Sequence, residues 1–438
     1  MDMRALLKFS FCLAFCALAT VTAAAQQPAQ QPAPQPPPRA IVLHAARLLE
    51  VDSGKILQPG EVLVEGNRIR AVGTSVAHPA GARVLDLGDT TLLPGMIDAH
   101  VHLFLHPGAE DLQTVEESVP WRVILAEQAA RADLMAGFTA ERDMGTEGAG
   151  SASTAIRNAI NQGIIPGPRM RVCANAIDIL GGHEDANNFN PAQHVLSNAD
   201  RANSAEQLIE VMREQHKEDS DFFKIYETGP DRMIDGVLHT PYQYTAAQLA
   251  AAVQEAKRIG TNVGVHAMGE PGTLYAAEAG VASIDHGTQL SPETMRLMKQ
   301  KGIFAVPTFT IFEYFATHAG SQDQAATEAA MLDYKIAEFK KQIAAGISFA
   351  VGSDVGPFPH GTQARELTLM VKYGMKPLAV LQSDMLNGAK LLRWQGQIGL
   401  LKSGYYADII AVPGNPLQNI SVVEHVKFVM KNGEVVRQ

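Results

Sequence analysis

His100 and His102 stand one residue apart at the end of the apolar run Leu93-Pro94-Gly95-Met96-Ile97-Asp98-Ala99. Side chains two apart on a β-strand share a face, so both imidazoles can aim at one point. Neutral imidazole is a common ligand for zinc and its neighbours, and a divalent cation held there can activate water or polarise a carbonyl. A His-x-His pair alone is a weak signal. Further groups of the right chemistry recur along the chain: Lys224 in Phe222-Phe223-Lys224-Ile225-Tyr226, His266 in Val265-His266-Ala267, His286 in Ser283-Ile284-Asp285-His286, and Asp354 in Val351-Gly352-Ser353-Asp354. Singly, His266 or His286 is explained as a hydrogen-bonded core histidine, and Asp354 as a helix cap. Lys224 is the odd member, because lysine is rarely buried unpaired. A lysine facing a core must pair, lose its proton or be modified.

Each of these groups closes or lies within a short β-competent segment, and those segments alternate with helices. Thr245 caps one helix, with Gln248 at its third position and Gly260 after its last turn. Ser291 and Pro292 open another that Gly302 ends, and residues 121–136 form a third, stopped by Gly137. The strand segments are 96–100, 138–142, 169–174, 222–226, 262–266, 283–286, 303–307 and 348–352. This pattern predicts an α/β chain with a (β/α)8 TIM-type barrel over 93–393. In such a barrel functional groups sit at the C-terminal ends of the strands, where all six candidates fall. Residues 40–92 and 394–438 read instead as short strands broken by turns. They are expected to pair into a small discontinuous β-sandwich made from both chain ends.

The chain has 438 residues, 46% hydrophobic and 19% charged, with formal net charge -10. The acidic balance argues against nucleic acid or an anionic membrane surface as partner. A small molecule or dipeptide is the expected partner, and homo-oligomerisation is left open. Residues 1–25 read as a signal peptide: Arg4 and Lys8, a short apolar run, then Ala23-Ala24-Ala25. Export to the periplasm or medium is therefore expected, without a membrane span once the signal is removed. Residues 26–39, nearly all Gln, Pro and Ala, form a tether. Of three cysteines only Cys173 lies beyond the signal, in a strand-like run that suits a buried structural thiol. No Gly-x-Ser-x-Gly occurs, which counts against a serine hydrolase.

The histidine pair, the strand lysine, the later histidines and Gly352-Ser353-Asp354 resemble the amidohydrolase superfamily of binuclear metal hydrolases. Within it the chain looks most like the branch of Xaa-Pro dipeptidases, metal-dependent carboxypeptidases and ochratoxin-degrading amidases. The motifs that carry this are Gly181-Gly182-His183, Phe223-Lys224-Ile225-Tyr226, Val265-His266-Ala267, Ser283-Ile284-Asp285-His286-Gly287-Thr288 and Pro359-His360-Gly361. The resemblance implies two divalent metal ions, with zinc the best match to nitrogen and oxygen ligands. His100, His102 and Asp354 would hold one, His266 and His286 the other, and an N-carboxylated Lys224 would bridge both. Two metals about 3.5–4 Å apart would present a hydroxide to a polarised carbonyl, with Asp354 passing the proton to the leaving amine. Tyr226 and His183 would contact the substrate carbonyl, and Arg232 would fork onto a free α-carboxylate. The chain departs from the branch at Asp285, where Glu is usual, and at Glu184, where Gly is frequent.

The expected activity is hydrolysis of the amide bond to a C-terminal amino acid in a dipeptide or N-acyl amino acid, ochratoxin-like amides included. The rival readings are a cyclic amidase or imidazolonepropionase-like hydrolase, and a catalytically inactive barrel that only binds ligands.

Overall fold

The structure, a computed structural model, describes residues 40–108, 110–185, 189–190 and 192–438. The expected signal peptide and the tether, residues 1–39, lie outside the described residues. Eight parallel strands form the barrel: β1 Met96–Val101, β2 Phe138–Asp143, β3 Arg169–Val172, β4 Phe223–Tyr226, β5 Val263–Ala267, β6 Ser283–His286, β7 Phe304–Val306 and β8 Ser348–Phe349. Hydrogen-bonded ladders join β1 to β2 to β3, and β4 through β8 in sequence. The first seam closes where Ala99 N donates to Val351 O and Asp354 N to His100 O, both at 2.8 Å. At the second, Asp221 N donates to Val172 O at 2.8 Å. Past Cys173, β3 resumes as Ala176–Asp178, which pairs with β4 at Ile177↔Ile225. The single strand predicted over 169–174 is thus two pieces with a break between them.

The helix signals are those in the sequence. Thr245 and Gln248 form a reciprocal capping box at the start of Ala246–Arg258. Ser291 accepts from Thr294 N at the start of Pro292–Lys301. Gly137 adopts φ 104 after Val119–Ala136, a left-handed stop that favours glycine.

Two sheets flank the barrel. One runs Arg68–Gly73, Gly60–Glu65, Ile41–Ala45, Arg83–Asp86. The other has six strands and draws on both chain ends, with Ile409–Pro413 antiparallel to Thr90–Pro94. Leu43, Val62, Leu85, Leu92, Ile409 and Phe428 are buried in one cluster belonging to both sheets. The outgoing end of this sandwich, Thr90–Pro94, leads directly into β1.

β8 is shorter than predicted because the chain leaves the ladder after Phe349 and runs against β1. A Cβ at Gly352 would sit 2.4 Å from Val306 Cγ1 and 2.8 Å from His100 Cβ. Gly352→Ala should therefore overpack this seam and cost about 1–3 kcal/mol. Chemical denaturation would show it as a lowered midpoint at unchanged m-value, and an unchanged midpoint would mean the seam is loose.

Candidate metal centre

Asp98, two residues before His100 on the same face of β1, ties the first half of the site together. Its Oδ1 accepts from His100 N and Ser353 N, each at 3.0 Å, and its Oδ2 accepts from Ser353 Oγ at 2.6 Å. Burial lifts this carboxyl to about 7 despite those three donors. The clamp sets Asp354 Oδ1 3.4 Å from His100 Nε2 and 3.5 Å from His102 Nε2, with the two Nε2 atoms 3.3 Å apart. One ligand atom from each of the three lies within 4.8 Å of the others.

Ring orientation follows from the atoms behind the rings. His102 Nδ1 lies 3.1 Å from Gly145 O and 3.0 Å from Glu147 Oε1, so Nδ1 carries the hydrogen and Nε2 faces the centre. Burial alone would lower the His102 pKa, but the Glu147 hydrogen bond and charge, with Asp354, raise it to about 9. Arg122 fixes the loops that follow β1 and β2. It is fully buried and donates to the carbonyls of Phe104, Thr146 and Glu147.

In the second half, His266 and His286 have ring centroids 4.4 Å apart, and His286 lies 5.1 Å from His100. His286 Nδ1 is 2.8 Å from Thr308 Oγ1, which turns Nε2 away from Thr308. His286, Thr308 and Asp354 adopt φ of 68, 54 and 64, sparsely populated conformations for side-chain-bearing residues. Strain of this kind gathers where surrounding structure over-determines a site. Thr308→Val should loosen His286 and weaken cation affinity by about 10- to 100-fold. Calorimetric titration of the metal-free protein reads this directly, and wild-type affinity in the variant would remove Thr308 from the site.

Lys224 sits among these rings, 0% exposed, and its Nζ has no hydrogen-bond partner. Burial pushes His100, His266 and His286 well below the ordinary imidazole range, and the Lys224 charge adds to the effect. An unpaired ammonium beside four imidazoles is unfavourable in a low dielectric. His100, His266 and His286 are thereby held neutral, and all four rings are turned inward, which suits them as ligands. Four such nitrogens, one carboxylate and an orphaned amine are a donor set that fits divalent transition-metal ions.

All six groups open into one cavity of about 250 Å³. Tyr226 also lines it, buried, with its ring stacked on His183 at 5.0 Å and 12°. Burial pushes the Tyr226 hydroxyl well above its ordinary pKa, so it is a neutral donor. His183 is half-buried, and its ring centroid lies 4.3 Å from that of His266. A Cβ at Gly229 would meet His183 Nδ1 at 2.5 Å, so the backbone passes directly behind this ring.

Arg232 is placed differently from the sequence expectation. It begins an exposed hairpin, Arg232–Ile234 against Val237–His239, and does not line the cavity. Its neighbour Asp231 faces inward instead, as alternation along an extended segment requires. Asp231 Oδ2 is 2.9 Å from His266 Nε2, and His183, Asp231 and His266 form a second cluster of ligand atoms within 4.8 Å. Sequence reasoning missed Asp231, Asp98, Glu110 and Glu184. The spacing of Asp98 to His100 was a legible signal. The inward turn of Asp231 was not, because nothing in Gly229-Pro230-Asp231-Arg232 says which side chain faces the barrel.

The sequence profile of the amidohydrolase family matches residues 91–436. Ochratoxinase of Aspergillus niger is 27% identical over 422 residues, spanning 89% of this chain and 85% of that protein. Imidazolonepropionase of Alkaliphilus metalliredigens is 23% identical over 415 residues, 87% of this chain and 91% of that protein. The crystal structure of a Xaa-Pro dipeptidase with bound methionine superposes with TM-score 0.83 at 30% identity, covering 91% of this chain and 100% of that one. With a barrel whose strand ends converge on four histidines, a lysine and an aspartate, this chain belongs to the amidohydrolase family.

Proposed function

We propose that this protein hydrolyses the amide bond to a C-terminal amino acid, in dipeptides or N-acyl amino acids, with two divalent metal ions. The observation that carries the reading is Lys224, buried without a hydrogen-bond partner in the same cavity as His100, His102, Asp354, His266 and His286. N-carboxylation by dissolved CO2, with loss of a proton to water, would turn that amine into a carbamate anion whose two oxygens would serve as ligands between the two groups. Zinc suits the nitrogen and oxygen donors best. When bound, the metal pair lowers the pKa of water and polarises the scissile carbonyl.

The chain's own residues supply the rest. Asp354 accepts the proton of the attacking water and delivers it to the leaving amine. Tyr226, protonated because it is buried, donates to the developing oxyanion, and His183 stacked on it donates beside it. The Arg232 side chain makes no hydrogen bond or ion pair among the described residues, which leaves its guanidinium free to fork onto a substrate carboxylate at the cavity rim. Support comes from the similarity to ochratoxinase, named for ochratoxin, and to a Xaa-Pro dipeptidase, whose name denotes a dipeptide substrate.

The test is a library of dipeptides and N-acyl amino acids, with lactams and imidazolones as a second arm, assayed with added zinc. Turnover of linear amides with release of a free amino acid is expected. Turnover confined to cyclic amides would move the assignment to the imidazolonepropionase-like reading. A purified protein that retains no metal and turns over nothing would leave a binding scaffold.

A further inference from the structure

The two histidines of the second half are held from behind by opposite nitrogens. His286 is bonded at Nδ1, 2.8 Å from Thr308 Oγ1, which leaves Nε2 for the centre. His266 is bonded at Nε2, 2.9 Å from Asp231 Oδ2. An ionised carboxylate only accepts, so this Nε2 carries the ring hydrogen and Nδ1 keeps the lone pair. Nδ1 makes no hydrogen bond among the described residues, and the ring lines the cavity beside His286. His100 is arranged like His286: its Nδ1 lies 3.4 Å from Asp285 Oδ1, and its Nε2 lies 3.4 Å from Asp354 Oδ1.

Asp231 is itself tied in place. Its side chain is 7% exposed, and its Oδ2 also accepts from Thr228 Oγ1 at 3.3 Å. That hydroxyl accepts in turn from Met268 N at 2.9 Å. A backbone N–H can only donate, so it sets the direction of the chain: amide to hydroxyl, hydroxyl to carboxylate. Met268 follows His266 by two residues. The bonds therefore close a ring that leaves the end of β5, crosses the loop after β4, and returns to the β5 imidazole. Glu227 N donates to His266 O at 2.8 Å and joins the same two segments through the backbone. The other ring near Asp231 is held less closely, with His183 Nδ1 at 3.8 Å from Oδ2.

We propose that Asp231 is a positioning residue that fixes His266 as the Nε2–H tautomer, so that His266 presents Nδ1 to the second cation while His100, His102 and His286 present Nε2. The inference rests on the two-metal hydrolase reading and adds an outer carboxylate to it. It also settles the use of the cluster His183, Asp231 and His266, in which Asp231 holds a ligand and does not coordinate. An outer carboxylate of this kind orients a ligating imidazole and raises its basicity, and its loss costs about 10- to 100-fold in metal affinity.

Asp231→Ala and Asp231→Asn separate holding from coordinating. An amide oxygen still accepts a hydrogen bond from Nε2, but it is a poor replacement for a carboxylate on a metal. Metal-free protein is titrated with zinc against a competing chelator. In Asp231→Ala one equivalent should bind about 10- to 100-fold more weakly, while the other keeps its wild-type affinity. Asp231→Asn should recover most of that loss. Loaded with cobalt(II), the Asn variant should show the visible absorption of wild type, because no ligand has changed. Equal losses in both variants with an altered cobalt spectrum would make Asp231 a ligand and overturn the proposal. Wild-type affinity for both ions in Asp231→Ala would overturn it too. So would weakening of both ions together with a lowered thermal midpoint, which marks a role in folding alone. Selective weakening of one ion in a protein that hydrolyses no linear amide would keep the positioning role and sink the hydrolysis reading. Full turnover of linear amides by Asp231→Ala with unchanged zinc affinity would do the reverse. Wild-type protein that takes up one ion at most would overturn both.

Discussion

Lys224→Ala should leave a folded protein that no longer retains its metal and no longer turns over substrate. The substitution removes a fully buried amine with no hydrogen-bond partner, which relieves a desolvation cost, while deleting its methylenes opens a cavity. These two effects oppose each other, so the thermal midpoint of the metal-free protein should move little. Function should not be so insensitive. Among the described residues Lys224 is the only lysine that lines the cavity, so its loss would leave no amine there to be carboxylated as a bridge between the two groups of ligands. Bound metal, read by elemental analysis after dialysis, should fall from about two equivalents per chain to below one. A short carboxylate such as acetate fits the space vacated by the side chain and should restore part of the activity. Retention of two equivalents and full turnover would show that Lys224 is no bridge.

Asp354→Asn should produce the second large loss, and of a different kind. The amide keeps the shape of the carboxylate and an oxygen donor but cannot accept a proton. The φ of 64 at this position is also one that asparagine tolerates, so backbone strain is not the cause of any effect. Loss of a general base lowers kcat by about 10²- to 10⁴-fold. Metal content should fall less than activity, because His100 and His102 remain, with Nε2 atoms 3.3 Å apart. Measuring kcat and metal content on the same preparation separates the roles. A drop in activity that only tracks metal loss would make Asp354 a ligand and not a base.

Much of this was legible in the sequence because the barrel repeats one grammar. Helix signals such as the Thr245–Gln248 box and Gly137 are local, and the structure uses them as written. The strand ends carrying His100, Lys224, His266, His286 and Asp354 were found because each follows a short apolar run, and the barrel brings them to one cavity. What stayed hidden depends on how loops pack. Asp98 works through Ser353, 255 residues away, so its role exists only once β1 and the end of β8 are adjacent. Asp231 lines the cavity and Arg232 does not, because the facing of this segment is decided by its packing and not by residue type. Glu110 and Glu184 are acidic surface residues by every local criterion, and only the fold lines a cavity with them.

The most direct measurement is anomalous diffraction at the zinc edge from crystals of the purified protein. Two peaks are expected, one among His100, His102 and Asp354 and one beside His266 and His286, with continuous density from Lys224 Nζ lying between them. A single peak remote from Lys224, or no peak in protein that still hydrolyses dipeptides, would contradict a binuclear centre at these residues.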